Sequence, residues 1–245
     1  MAVRYGKFEL PNKITLTESS KDKKFARFVA EPFERGFGHT MGNAFRRIML
    51  SSLEAPAIIS FRIEGVPHEY MAIPGVIEDV THVVLNLKEA LLRKHPTDED
   101  RGSRRPKTIT HILEITVAQI EQNGGQYPVT LKDFLGPMEF DIVNPELVVF
   151  HATQPMTKQI DIKIAIGRGY VPSERHDFET QVDEIVIDSI FSPVRLVNYY
   201  VENTRVGQVT DFDKLIIEVT TDGRILPEEA LSFATQIGMH HFEIF

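Results

Sequence analysis

The amino-acid sequence predicts an α+β protein built mostly of antiparallel sheet. Two observations carry this expectation. Short stretches of alternating apolar and polar residues recur along the chain, and only three stretches show the apolar period of a long helix. The turn sequences QNGGQ at 122–126 and TDGR at 221–224 fit hairpins between such strands.

Taken in order, KFARFVAEP at 24–32 alternates as a strand. A glycine-studded turn then leads into a helix expected over 40–52, with Thr40 as its cap. Met41, Ala44, Phe45, Ile48 and Met49 form its broad apolar face, while Asn43, Arg46, Arg47 and Leu50 lie opposite. An arginine pair beside a leucine suits a helix packed on one face and docked against charged or planar groups on the other. AIISFRIEGV at 57–66 is the next strand. A second helix is expected over 75–93, with Val76, Ile77, Val80, Val83, Val84, Leu87 and Leu91 on one face and Glu78, Asp79 and Lys88 outside it. Its expected role is to cover a sheet.

The polar run between Leu92 and Ile109 has no period and is expected to be an exposed loop. Its Arg101, Arg104, Arg105 and Lys107 sit beside Asp98, Glu99 and Asp100, which neutralise them. Further strands are expected at 112–120, 138–143, 147–153, 158–166, 183–190, 195–202 and 214–221. The last helix, 227 to about 243, opens with Pro227 at a first-turn position and with Glu228 and Glu229, which favour the helix dipole. Ala230, Leu231, Phe233, Ala234, Ile237, Phe242, Ile244 and Phe245 cover well over half of its circumference. So wide an apolar surface calls for a partner.

Composition narrows the function classes. The 245 residues are 42% hydrophobic and 25% charged, ordinary for a soluble globular protein. A net charge of −8 argues against a chain that wraps nucleic acid by itself, because phosphate binding needs a local excess of lysine and arginine. No cysteine is present, which excludes disulfides and thiol catalysis. No early apolar run has the length of a signal peptide or membrane helix, so a cytoplasmic protein is expected.

Chemical motifs are sparse. Gly36 and Gly38 begin a GxGxxG spacing, but Met41 stands at its third glycine position and no lysine follows in Walker spacing, so these glycines are expected to shape a turn. No HExxH and no GxSxG occur. Asp211 and Asp213 in TDFDK are read as turn residues, since a magnesium site needs further oxygens. No catalytic residue, cofactor site or metal site is expected on this chain.

Five ordered segments carry a family resemblance: EPFERGFGHTMGNAFRRIMLSSLEAP at 31–56, HEYMAIPGVIEDVTHVVLNLK at 68–88, GRGYVPSER at 167–175, SPVRLVNYYVENTRVGQVTDFDKLIIEV at 192–219 and DGRILPEEAL at 222–231. Together the chain resembles the amino-terminal region of the alpha subunits of bacterial RNA polymerase. The resemblance implies two subdomains: residues 1–56 and 182–245 as a dimerisation subdomain of antiparallel sheet plus helices, interrupted by an inserted, mostly-β subdomain at 57–181. It implies a non-catalytic scaffold of a nucleotidyltransferase, which homodimerises and nucleates assembly of the beta and beta prime subunits, with omega and sigma joining the holoenzyme near the nucleoid.

By the same resemblance, Phe37, Met41, Phe45, Ile48, Leu231, Ala234 and Ile237 are expected at the homodimer seam. Arg47 is expected to be central to holding beta, with Arg46, His68, Tyr70, Gly75, Glu78 and Asp79 as companions. Beta prime is expected to meet Gly167, Arg168, Gly169, Tyr170 and Arg175, and the region of Arg195 and Arg205. Family members carry a further carboxy-terminal domain that contacts upstream DNA. This sequence stops at Phe245 without it, so an amino-terminal fragment without direct sequence-specific DNA binding is expected. A stand-alone enzyme and a dimeric DNA-binding module are the other classes weighed, and neither has a supporting motif.

Overall fold

In a computed structural model, which describes residues 9–94 and 105–244, most of the alternating stretches become strands. In chain order the elements begin with β1 (Ile14–Ser19), β2 (Phe25–Phe33), α1 (Phe37–Ser51), β3 (Glu54–Ile63), α2 (Val80–Lys88), β4 (Leu92–Arg93) and β5 (Lys107–Ile115). There follow α3 (Val117–Gln122), β6 (Tyr127–Thr130), α4 (Leu131–Leu135), β7 (Asp141–Ile142), β8 (Val148–Ala152), β9 (Met156–Arg168) and β10 (Tyr170–Val171). The chain closes with β11 (Ile185–Val186), β12 (Ser189–Ile190), β13 (Val194–Val206), β14 (Val209–Thr221) and α5 (Pro227–Phe242). Two units result, residues 1–53 with 192–245 and residues 54–191.

In the first unit an antiparallel sheet runs β1-β2-β14-β13. One residue in two along β2 and β14 is buried, so Ala26, Phe28, Ala30, Leu215, Ile217 and Val219 form a floor. Met49 and Leu53, at and beyond the end of α1, and Ala230, Leu231 and Ala234 of α5 pack onto it. The stretch that leads from β14 into α5 is anchored by a buried ion pair. The Arg224 guanidinium donates to Asp222 at 2.9 Å through Nε and to the Ser192 carbonyl at 2.8 Å through Nη2. Both side chains are about 95% shielded from solvent, and the backbone N–H of Arg224 also donates to Asp222.

The second unit holds a four-stranded antiparallel sheet, β11-β3-β9-β5, and three two-stranded ribbons, β10-β12, β4-β7 and β6-β8. Its own core gathers Ile58, Phe61 and Ile63 of β3, Ile160, Ile162 and Ile164 of β9, the buried face of α2, and Leu131, Phe134 and Leu135 of α4. The division falls at Leu53 and Ser192, so residues 54–56 and 182–191, expected with the chain ends, belong to this unit instead. Pairing decides it: Glu54 starts β3 opposite Arg168, and Ile185 pairs with Phe61.

Several expected elements differ. The helix expected at 75–93 is only Val80–Lys88, because Ile77 donates its N–H to the His151 carbonyl and Val76 bridges Ala152, which holds that stretch against β8. The strand expected to continue through 120 ends at Ile115, where Thr116 and Gln119 cap α3 reciprocally. QNGGQ closes that helix rather than a hairpin, with Gly125 donating to the Ile120 carbonyl at 2.9 Å. TDGR leads from β14 into α5 and likewise makes no hairpin. The strand expected at 138–143 shortens to β7, and that at 183–190 splits into β11 and β12. Within the expected polar loop, residues 95–104, and with them Asp98, Glu99, Asp100, Arg101 and Arg104, lie outside the described residues, as does Phe245.

Candidate protein–protein interface

Helix α1 begins at Gly36, whose φ of 88° is open to glycine at little cost. No side chain of its own turn caps it: Thr40, expected as the cap, lies inside the helix and donates its hydroxyl to the Gly36 carbonyl. The acceptor comes from β14. Asp213, 5% exposed, accepts from the N–H of Gly36 at 2.8 Å and of Gly38 at 3.1 Å. A negative charge at this end also complements the helix dipole.

The face that α1 presses on the sheet is made of small residues. A Cβ on Gly42 would stand 2.5 Å from the Tyr199 ring of β13. Only a glycine permits that approach, and Gly38, Gly42 and Met49 are the buried residues of α1. The larger apolar side chains are thereby turned sideways. Met41, Ala44, Phe45 and Ile48 line one wall of a groove of about 420 Å³, whose other wall is Thr235, Gly238, Met239 and Phe242 of α5. Met239 and Phe242 of this wall are exposed, as are Phe37 at the start of α1 and Phe233 on another side of α5.

Of the residues expected at a homodimer seam, Phe37, Met41, Phe45, Ile48 and Ile237 reach solvent in part. Leu231 and Ala234 do not. They are 5% and 0% exposed, because that face of α5 closes its own unit's core. The apolar side chains that α5 offers outward are Phe233, Met239 and Phe242, of which sequence reasoning placed Phe233 and Phe242 on its wide surface and missed Met239.

The two arginines of α1 part company. Arg46 donates from Nε to the Val197 carbonyl at 3.1 Å and so ties the helix to β13. Arg47 is exposed, and its guanidinium makes no hydrogen bond or ion pair among the described residues. Elsewhere in this unit Arg195 is exposed, 3.9 Å from the Asp222 carboxylate, and Arg205 bonds the Gly207 carbonyl in the turn between β13 and β14.

The second unit holds the remaining expected contacts. His68 and Tyr70 are exposed, with ring centroids 6.4 Å apart. Gly75, Glu78 and Asp79 have tasks inside the unit. The Gly75 carbonyl accepts from Thr153, and Asp79 caps α2 by accepting from the His82 N–H at 2.8 Å. Glu78 grips the His151 N–H and ring. Burial raises its pKa, but the His151 hydrogen bonds outweigh burial and hold it below the ordinary carboxylate value.

In the 167–175 segment, Gly167 lies under the Phe191 ring, Arg168 pairs with Glu54, and the Gly169 carbonyl accepts from Phe191. Tyr170 and Arg175 remain exposed. Asp188, which sequence reasoning missed, fastens this segment. It accepts from Lys88 at 2.8 Å, from the Ser173 N–H at 2.9 Å and from Tyr170. The Lys88 bond foremost, with the Ser173 N–H, holds its carboxyl down to about 2. Tyr170 is displaced upward, by burial first and then by the Asp188 charge.

Among the described residues no cluster of His, Cys, Asp and Glu has the geometry to hold a metal, and no helix is long and apolar enough to cross a membrane. What the surface offers is apolar area and an unengaged cation, the materials of protein recognition.

Comparison with known proteins agrees with such a surface. A family model described as the RNA polymerase Rpb3/Rpb11 dimerisation domain matches residues 31–242. The DNA-directed RNA polymerase subunit alpha of Protochlamydia amoebophila is 62% identical over 246 aligned positions, covering 100% of this chain and 66% of that protein. The subunits of the same name from Carboxydothermus hydrogenoformans and Bacteroides fragilis are each 46% identical, over 94% and 97% of this chain and 68% of theirs. The chain thus spans about two thirds of the length of these curated relatives.

Proposed function

The chain belongs to the RNA polymerase alpha-subunit family, with its Rpb3/Rpb11 dimerisation domain, and on that premise we propose that it is the assembly scaffold of a bacterial DNA-directed RNA polymerase. It pairs with a second copy of itself, and the pair holds the beta and beta prime subunits, to which omega and sigma add in the holoenzyme. The observation that carries this reading is the groove between α1 and α5. Its apolar lining, with Phe45 and Ile48 on one wall and exposed Met239 and Phe242 on the other, can be covered by the same surface of a second copy about a two-fold axis. A seam of this kind is core-like and permanent.

Arg47 is the anchor for beta in this reading. A guanidinium without a partner among the described residues has its whole donor set available for a carboxylate or an aromatic face. Exposed His68 and Tyr70 are the companions retained; Gly75, Glu78 and Asp79 act by shaping the segment that carries Tyr70. For beta prime, exposed Tyr170 and Arg175 are the contact groups, and Asp188 keeps their segment in place, while Arg195 and Arg205 mark a second region.

Co-expression of the tagged chain with both large subunits tests the proposal. Wild type is expected to purify as a dimer with both; Arg47→Ala is expected to remain dimeric and lose beta. A folded chain that stays monomeric and retains neither subunit sinks the scaffold reading. Loss of beta together with loss of the dimer sinks the assignment of Arg47.

A further inference from the structure

The terminal strands of the two four-stranded sheets differ in how their open edges are defended. β1 carries a register shift between Leu16 and Glu18, β13 carries two, and β11 is two residues long. Bulges and short edges are the usual protections against unwanted strand pairing. β5 has neither. Its nine residues pair with β9 in unbroken register from Lys107 opposite Ile164 to Ile115 opposite Met156. Among the described residues, the backbone of His111–Glu114 makes no hydrogen bond beyond those to β9.

A cavity of about 500 Å³ lies against this strand. Four consecutive residues, His111, Ile112, Leu113 and Glu114, line it. Side chains alternate between the faces of a strand, so four in succession border one cavity only where it meets the strand's edge. Leu113 is 4% exposed with its side chain in the core. The opposite wall is formed by Gln119 of α3, Tyr127 of β6, and Lys132 and Asp133 of α4, and no residue of β9 borders the space. The result is a cleft between an undefended strand edge and a wall of short helices.

We propose that this cleft binds an extended segment of a partner protein, which adds to the sheet as a further antiparallel strand beside β5. Unpaired N–H and C=O groups along a strand are complementary to another strand's backbone and to little else, which fixes the occupant's conformation. The four cleft residues span roughly 13 Å at about 3.3 Å per residue, so a segment of about four residues is read closely. Ile112, 61% exposed, offers an apolar rest for one of its side chains. Asp133 is occupied by Tyr127 and by the Thr130 cap, whereas Lys132 and Glu114 are exposed with no partner among the described residues. They set a charge of each sign for the segment to answer. This surface is separate from the α1–α5 groove and adds a partner to the scaffold.

The test is a titration of the isotope-labelled full chain with acetylated octapeptides that alternate Val and Thr with neutral, acidic or basic termini. Amide signals of 111–114 are expected to shift and to gain protection from hydrogen exchange. Lys132→Trp, which fills the cleft from an exposed position, is expected to weaken binding by about tenfold or more, while Lys21→Trp, at an exposed position outside the cleft, leaves it within about threefold. The proposal is overturned if no peptide moves 111–114 at about 1 mM, if the shifts map to β1 or β13, or if Lys132→Trp binds as wild type does. Sedimentation of the same samples reports the dimer separately. A dimer without peptide shifts sinks only the cleft, and a monomer with them sinks only the self-pairing.

Discussion

The N–H groups of Gly36 and Gly38 find their acceptor 177 and 175 positions away, in the carboxylate of Asp213. Removing it takes the acceptor from both donors, one of them the buried Gly38 N–H. Asp213→Ala is therefore expected to cost about 1–3 kcal/mol in denaturant unfolding, and Asp213→Asn, which keeps one oxygen acceptor, distinctly less. Equal losses in the two variants would show that the hydrogen bonds are not what Asp213 contributes. Arg224→Ala strands the Asp222 charge away from water and is expected to cost more, about 3–5 kcal/mol. Asp188 gives a pH signature. Folding lowers its pKa from 3.8 to about 2, so its contribution is complete above 3.8 and is lost as pH falls toward 2. Its side chain is 29% exposed, and screening trims the effect to about 1–2 kcal/mol. Wild type is expected to lose that much more stability than Asp188→Asn between pH 5 and pH 2, and parallel curves would refute the linkage.

Elements obey the sequence where their signals are local. α5 opens with Pro227 and acidic residues, and Glu229 accepts from the Leu226 N–H at 3.1 Å, as the order of residues implies. α3 and α4 were missed, although Thr116 with Gln119 and Thr130 with Asp133 form capping boxes, because five or six residues are too few to show an apolar period. The direction of α1 was not legible. Its apolar stripe announces a buried face, yet the buried face is Gly38, Gly42 and Met49, and the larger side chains of the stripe line the groove with α5. Gly42→Val is expected to force α1 off the Tyr199 ring and lower the melting temperature, an overpacking cost of about 1–3 kcal/mol. Phe242→Asp, at a position 74% exposed, is expected to raise the dimer dissociation constant by about tenfold or more in sedimentation and to lower melting only as far as the weaker dimer requires. An unchanged constant would place the seam elsewhere.

At the scale of the whole molecule, residues 54–191 are contiguous and own a separate core, so they are expected to fold when expressed alone. A cooperative melt with a β-rich circular dichroism spectrum is the expected result, and a non-cooperative one would show that the unit borrows stability from the rest of the chain. The sequence by itself determined the α+β class, most of the longer strands, the three amphipathic helices and the family, because each is written in local period, turn chemistry or ordered motifs. Tertiary structure decided which of the apolar positions are spent inside. Leu231 and Ala234 close the core while Met239 and Phe242 border the groove, Arg46 is tied to Val197 while Arg47 is exposed, and Asp213 caps α1 instead of shaping a turn. Period assigns a residue to a face, but what that face meets depends on strands from the far end of the chain.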